Sequence, residues 1–252
     1  MPEEPHIDLD NLKSTHKHEE DLRAQSLALI EANPEWKQRL ILIEKAMAVL
    51  FAYTHDYTNQ SDDELTLQFL GIRLFNTGAS ALKLGLSGYC QQGFSLLRDV
   101  IEVGFLLDYF GSWPKKISEW KTSSDADRMN KFGPKHIRAA LDKRDGNSER
   151  KRAKAYATLS QYGSHATYKG FRMNVKENNF GELGPFISEK HLRAFLEETA
   201  LRLGPASVLY GTLFPGAPEN IVRFREAVAA DLVTALKKPS AKEVPDGAPK
   251  RK

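Results

Sequence analysis

The sequence predicts an all-α domain, a single bundle of about seven or eight helices around a central buried antiparallel pair. Three observations carry this. Apolar residues recur at three- and four-residue steps over long stretches, as in Trp36, Leu40, Ile43, Met47, Leu50 and Phe51. Helix-start signals stand immediately before such stretches. And the segment Leu65–Ser112 holds six charged residues (Arg73, Lys83, Arg98, Asp99, Glu102 and Asp108) among 48, where about thirteen are expected from the average composition. A segment so poor in charge belongs at the middle of a bundle.

Taken in order, residues 1–19 are polar and are expected to be a flexible N-terminus. A first helix is expected over Glu20–Ala32. Asn33 and Pro34 read as an N-cap with proline at the first helical position, opening a helix to about Tyr57. Ser61 and Glu64 form a capping box for a helix through Leu84, with Gly85 and Gly88 expected to break or bend it. A helix over Tyr89–Phe110 ends at Gly111, three residues before Pro114.

Residues 115–154 form a basic helical insert. Its thirteen basic and six acidic residues give +7, with short helices expected over Asp125–Asn130 and Pro134–Lys143. A further helix runs from Asn147 to Ser164. The following stretch, Ala166–Phe186, reads as a loop with a short hairpin near 171–181. Ser188 caps the next helix, which Gly204-Pro205 is expected to interrupt before it resumes over Ala206–Phe214. The last helix, Glu219–Lys237, turns Ile221, Phe224, Val228, Leu232 and Leu236 inward. The domain closes at about 238, and 239–252 form a disordered basic tail.

Composition narrows the function classes. The chain carries 41% hydrophobic residues and a net charge of +3 over 252 residues, which excludes a disordered chain. A single cysteine, Cys90, builds no internal disulfide and no cysteine–histidine zinc spacing. No apolar run reaches the ~18 residues of a membrane helix, and the N-terminus lacks the apolar core of a signal peptide. The expected location is cytoplasmic, without a membrane partner. His16, His18 and Glu20 bring ligand types together, but the reading adopted is an exposed polar segment with no metal. Phosphate-binding, dinucleotide, zinc-protease and serine-hydrolase motifs are absent, and no cofactor is implied.

Two constellations remain. Gln91, Ser95, Arg98 and Glu102 follow at helical steps and share one face of the charge-poor helix. Buried charges require partners, so Arg98 and Glu102 either pair to fix helix register or line a wet cleft with a ligand or catalytic role. The second is Tyr156-Ala-Thr-Leu-Ser160-Gln-Tyr-Gly-Ser164-His165. Here Ala153, Ala157, Ser160 and Ser164 make a narrow face for close packing, and His165 stands at the helix end. His165 reads either as a capping histidine or as a general acid/base at a cleft. Arg150, Lys151, Arg152 and Lys154 are a third candidate, for nucleic-acid phosphates. The alternative is a solvated helix face.

Leu96-Leu97-Arg98 with Glu102, followed by Tyr156, Leu159, Ser160 and His165, resembles a group of uncharacterised bacterial helical-bundle proteins with LLRxxxE and YxxLSxxxxH helices. The resemblance spans roughly Ala79–His165. It implies a helical fold with Arg98, Glu102, Ser160 and His165 gathered inside, and it brings no established activity. A more distant similarity is to HEPN-like bundles, which include metal-independent ribonucleases, although the usual arginine and histidine four to six residues apart on one helix are missing here. On that similarity His165 would transfer the proton and Arg98 would stabilise the phosphorane. The expected function is thus a binding or interaction module with a polar Arg-Glu-Ser-His cluster. The alternative is a metal-independent ribonuclease or other phosphodiester-cleaving enzyme. Expected partners are a second copy, as a homodimer, and RNA or another nucleic acid at the basic insert.

Overall fold

In a computed structural model that describes residues 9–176 and 180–237, every regular element is helical, and one isolated antiparallel bridge joins Val175 to Gly181. The long helices are α1 (Leu9–Ala32), α2 (Pro34–Phe51), α3 (Asp62–Leu86), α4 (Cys90–Ser112), α10 (Glu189–Gly211) and α11 (Glu219–Lys237). Shorter ones are α5 (Lys116–Thr122), α6 (Asp125–Phe132), α7 (Pro134–Arg144), α8 (Lys151–Leu159) and α9 (Tyr168–Arg172). The short helix expected at Asp125–Asn130 is α6, and the insert and the long loop add two further short pieces, α5 and α9. No described helix is long and apolar enough to cross a membrane.

The starts follow their capping residues. Asn33 Oδ1 accepts from the amides of Glu35 (3.1 Å) and Trp36 (3.2 Å), Ser61 Oγ from Glu64 (3.1 Å) and Ser188 Oγ from His191 (3.4 Å). The box at Ser61 is not reciprocal. Glu64 Oε2 turns back to the amide of Gln60 (2.6 Å) and the Tyr57 hydroxyl (2.9 Å), tying the connection from α2 onto α3.

The central pair is α3 and α4, and α10 lies against both, with α2 packed on α10 and α11 closing over α10 and α2. Phe195 of α10, fully buried, explains Gly85 and Gly93. A Cβ at Gly85 would fall 2.3 Å from the Phe195 ring and one at Gly93 2.7 Å from it, so the two glycines make the slot the ring fills. Gly85 therefore does not break α3, which continues to Leu86. The turn comes at Gly88, whose φ is +92°.

Four further expectations change. The first helix begins at Leu9, so the described part of 1–19 is helical. No glycine or proline interrupts it, and Lys13–Asp10 (2.9 Å) and Tyr89 Oη–Glu19 (2.9 Å) support it. Pro205 sits inside an unbroken α10. It is exposed, so water can satisfy the carbonyl that its missing N–H leaves free. Phe171 and Arg172 lie in α9, and only the far end of the expected hairpin pairs, through Lys176 N–Phe180 O (3.1 Å) and Glu182 N–Asn174 O (2.8 Å). Phe224 is 38% exposed rather than turned inward. The Leu236 side chain and the 239–252 tail lie outside the described residues.

Cys90, at the start of α4, is buried, and burial pushes its thiol up to about 12. The expected result with a chromogenic disulfide reagent at pH 8 is no reaction in the folded protein and one equivalent after denaturation. Rapid labelling under native conditions would contradict this packing.

Candidate functional site

The seam between α4 and α8 carries the polar stripe. The two helices run antiparallel, so the contacts descend in opposite chain order. At one end Gln91 Nε2 donates to the carbonyls of Tyr162 (3.2 Å) and Gly170 (3.0 Å), while its Oε1 accepts from Asn174 Nδ2 (2.8 Å). Next, Ser95 Oγ meets Ser164 Oγ at 3.2 Å. Then Arg98 Nε donates to Glu102 Oε1 at 3.3 Å, and Tyr156 lies beside both. At the far end Arg152 reaches Asp108 at 3.5 Å. The face predicted from Gln91, Ser95, Arg98 and Glu102 is thus one face, with every member engaged.

A π-helical turn, Ser160–Ser164, sets what happens to the rest. It ends α8 with a hydrogen bond from His165 N to Ser160 O of 2.8 Å. The wider turn shifts the register of everything after Leu159. The close approach to α4 therefore falls at Gly163, where a Cβ would lie 2.5 Å from Ser95 N and 2.8 Å from its Cα. Of the expected face, Ser164 meets Ser95 and Ser160 is buried, whereas Ala157 is exposed and takes no part in the close approach.

Within the set Arg98, Glu102, Ser160 and His165, the one side-chain contact among the described residues is that of Arg98 with Glu102. His165 adopts extended backbone (φ −101°, ψ 146°), and its imidazole is exposed with no hydrogen-bond or ion-pair partner among the described residues. Ser160 is 4% exposed, with a buried hydroxyl that has no hydrogen-bond partner among the described residues. A serine nucleophile needs a base within ~3 Å, and none is in hydrogen-bond reach of this one.

The structure instead adds Arg138 of α7. Its guanidinium carbon stands 4.2 Å from the centroid of the Tyr156 ring, and that of Arg98 stands 5.3 Å from the same ring. The side chains of Arg98 and Glu102 keep 31% and 25% of their surface exposed, so the group is open to solvent at one side. Burial raises the pKa of Tyr156. The hydrogen bond to Glu102 and its negative charge raise it further, while Arg98 and Arg138 pull it back. Arg138 forms no ion pair among the described residues, and its Nη1 is buried without a hydrogen-bond partner. Two guanidiniums therefore share the Tyr156 ring while only Arg98 has a carboxylate partner, Glu102, which leaves positive charge over in a half-buried place. Nothing in the sequence separates Arg138 from the other basic residues of the insert.

The basic run Arg150, Lys151, Arg152 and Lys154 is divided. Arg152, 16% exposed, pairs with Asp142 (2.9 Å), Asp108 and Asp145, while Arg144 pairs with Asp108 and Asp145 at 2.7 Å each. Arg152 is thus a tie between α4, α7 and α8, not a free cation. Lys151 pairs with Glu149 at 3.1 Å. Arg150 and Lys154 are exposed and form no ion pair among the described residues.

A cavity of about 140 Å³ lies beside Gln91, lined by Cys90, Asn174, Glu182, Phe186 and His191 among others. Burial lowers the pKa of His191, with Lys190 adding to the effect. Among the described residues no three His, Cys, Asp or Glu side chains are placed to hold a metal ion. Comparison of the chain with protein-family models, with curated proteins and with solved structures returns no match.

Proposed function

We propose that the protein is a binding module that recognises an oxyanion, a phosphate or carboxylate group, at Arg98, Tyr156 and Arg138. One observation carries the reading: two guanidiniums share one tyrosine ring, and one of them, Arg138, has no ion-pair partner among the described residues. Arginine's planar fork suits carboxylate and phosphate oxygens. Arg150 and Lys154 provide exposed positive charge for a larger phosphate-bearing ligand such as RNA. A cytoplasmic setting and the resemblance to uncharacterised bacterial helical bundles fit this reading.

The competing reading, HEPN-like phosphodiester cleavage by Arg98, Glu102, Ser160 and His165, has less support. Proton transfer needs a group within ~3 Å of the reacting atoms. His165 faces solvent alone, and Ser160 is buried without a base. Incubation of labelled RNA with the protein in EDTA separates the two. The expected result is intact RNA with wild type and with His165→Ala. Cleavage that His165→Ala abolishes, with the fold preserved, would overturn the proposal.

A further inference from the structure

Residues 150–176 hold seven basic residues and no acidic one, with Tyr156, Tyr162, Tyr168 and Phe171 set among them. A solvated surface ordinarily intersperses both signs of charge. Part of this charge is used inside the chain: Arg152 on three aspartates, Lys151 on Glu149 and Lys176 on Glu182. What is left over follows one side of α8. Arg150 and Lys154 are exposed and stand one helical turn apart, and exposed Thr158 comes a turn later. Beyond it, Gln161 Oε1 accepts from Lys169 Nζ (3.4 Å), and Lys169 forms no ion pair among the described residues. From Arg150 to Gln161 the track runs ~16 Å.

Two rings stand at its end. Tyr168 is 75% and Phe171 56% exposed, with their centroids 6.0 Å apart and their planes 32° from parallel. The turn that carries them is clamped from beneath. Thr167 Oγ1 accepts from Gly170 N (3.0 Å) and donates to Gln161 O (2.5 Å), while the carbonyl of buried Gly170 accepts from Gln91 Nε2 (3.0 Å). The rings are therefore presented outward on a turn tied to both the π turn and α4, and a surface ordered in advance has little freedom left to lose on binding.

We infer that this surface binds single-stranded nucleic acid, with the sugar–phosphate backbone along Arg150, Lys154 and Lys169 and bases stacked on Tyr168 and Phe171. A cationic track that leads to exposed aromatic faces suits an unpaired strand, because every base offers a π face and every linkage a negative charge. A duplex keeps its bases stacked inside and can use the cations alone. Phe180 and Leu183 are exposed too. They flank Glu182, on which Lys176 is used (2.9 Å), so that part of the loop lacks the spare cations by which an anionic bilayer holds a peripheral segment. In naming the phosphate-bearing ligand, the proposal rests on the oxyanion reading above, but it places the strand on other residues.

Fluorescence anisotropy with a labelled oligouridylate of about 12 nucleotides tests it. Wild type should bind, and an RNA duplex of equal length should bind at least tenfold more weakly. Tyr168→Ala/Phe171→Ala should weaken strand binding at least tenfold. Both positions are exposed, so this variant should keep the wild-type helical content, a similar Tm and its binding of pyrophosphate. Lys154→Ala/Lys169→Ala should reduce the slope of log K against log salt by about 1.4, at ~0.7 for each phosphate contact on a single strand. Wild type that binds pyrophosphate but not the oligouridylate would overturn this inference and leave the oxyanion site standing. Ring-dependent strand binding without pyrophosphate binding would support it and remove the oxyanion site instead. Equal strand binding by wild type and Tyr168→Ala/Phe171→Ala, preference for the duplex, or ring-dependent sedimentation with phosphatidylserine vesicles in place of strand binding would each overturn it.

Discussion

Gly163→Ala destabilises the protein by about 3 kcal/mol or more, a Tm loss of roughly 6–12 °C for a domain of this size. The added methyl would lie 2.5 Å from Ser95 N, 2.8 Å from Ser95 Cα and 2.9 Å from the Phe94 carbonyl carbon. All three are backbone atoms of α4, so no side chain can rotate away. The helix itself cannot retreat, because Phe94 and Leu97 on its other face are buried in the core, with Phe94 edge-on to Phe195. The seam between α4 and the π turn must open instead, taking the Ser95–Ser164 contact with it. Gly181→Ala is the control: nothing lies within 4 Å of its Cβ position, and its stability should stay within ~0.5 kcal/mol of wild type. Urea denaturation of both variants measures the difference. Equal midpoints would mean that α8 does not approach α4 as closely as described.

Arg152→Ala costs about 2 kcal/mol and loosens α7 and α8 from α4. One guanidinium holds Asp108 of α4, Asp142 of α7 and Asp145 just beyond α7. Its removal leaves three carboxylates close together with only Arg144 to offset them, and an unpaired, partly buried charge costs more than the pair contributed. The sign with pH follows from Asp145. Hydrogen bonds from Arg144 and then Arg152 hold its pKa down to about 2 from 3.8. A depressed folded-state pKa stabilises above the unfolded value and loses that contribution as pH falls through the folded one. The gap between wild type and Arg152→Ala should therefore be full above pH 4 and narrow towards pH 2. Denaturation at pH 7, 4 and 2.5 checks it. A gap independent of pH would show that the ion pairs do not carry the effect. Were Arg152 a phosphate-binding cation, its loss would weaken ligand binding and leave stability unchanged.

The helix starts were legible because each rests on a local rule. Asn33-Pro34, Ser61 and Ser188 cap whatever helix follows them, whatever that helix packs on. Arg98 and Glu102 were legible as a pair because four residues make one helical turn. What could not be read depended on partners distant in sequence. Gly85 reads as a break, and Gly93 has no reading of its own, until Phe195 is placed between them. The π turn at Ser160–Ser164 has no sequence signature of its own, and it decided that Gly163 rather than Ala157 meets α4 and that His165 faces water. The charge of the insert was counted correctly at +7, yet its meaning changed. Arg144 and Arg152 are spent on Asp108, Asp142 and Asp145, whereas Arg138, undistinguished in the sequence, stands over Tyr156. The charge-poor stretch was right about α4 and incomplete about α3, whose outer face is apolar without being covered by the same chain.

The oxyanion site is the centre of this account, and calorimetric titration with sodium pyrophosphate at constant ionic strength tests it most directly. Wild type should bind. Arg138→Ala and Arg98→Ala should each weaken binding at least tenfold, since a hydrogen bond to a charged group contributes about 1.5–3 kcal/mol, and Arg138→Ala should keep a wild-type Tm to within a few degrees. No measurable binding by wild type, or equal binding by both variants, would contradict the assignment of Arg98, Tyr156 and Arg138 as the recognition site.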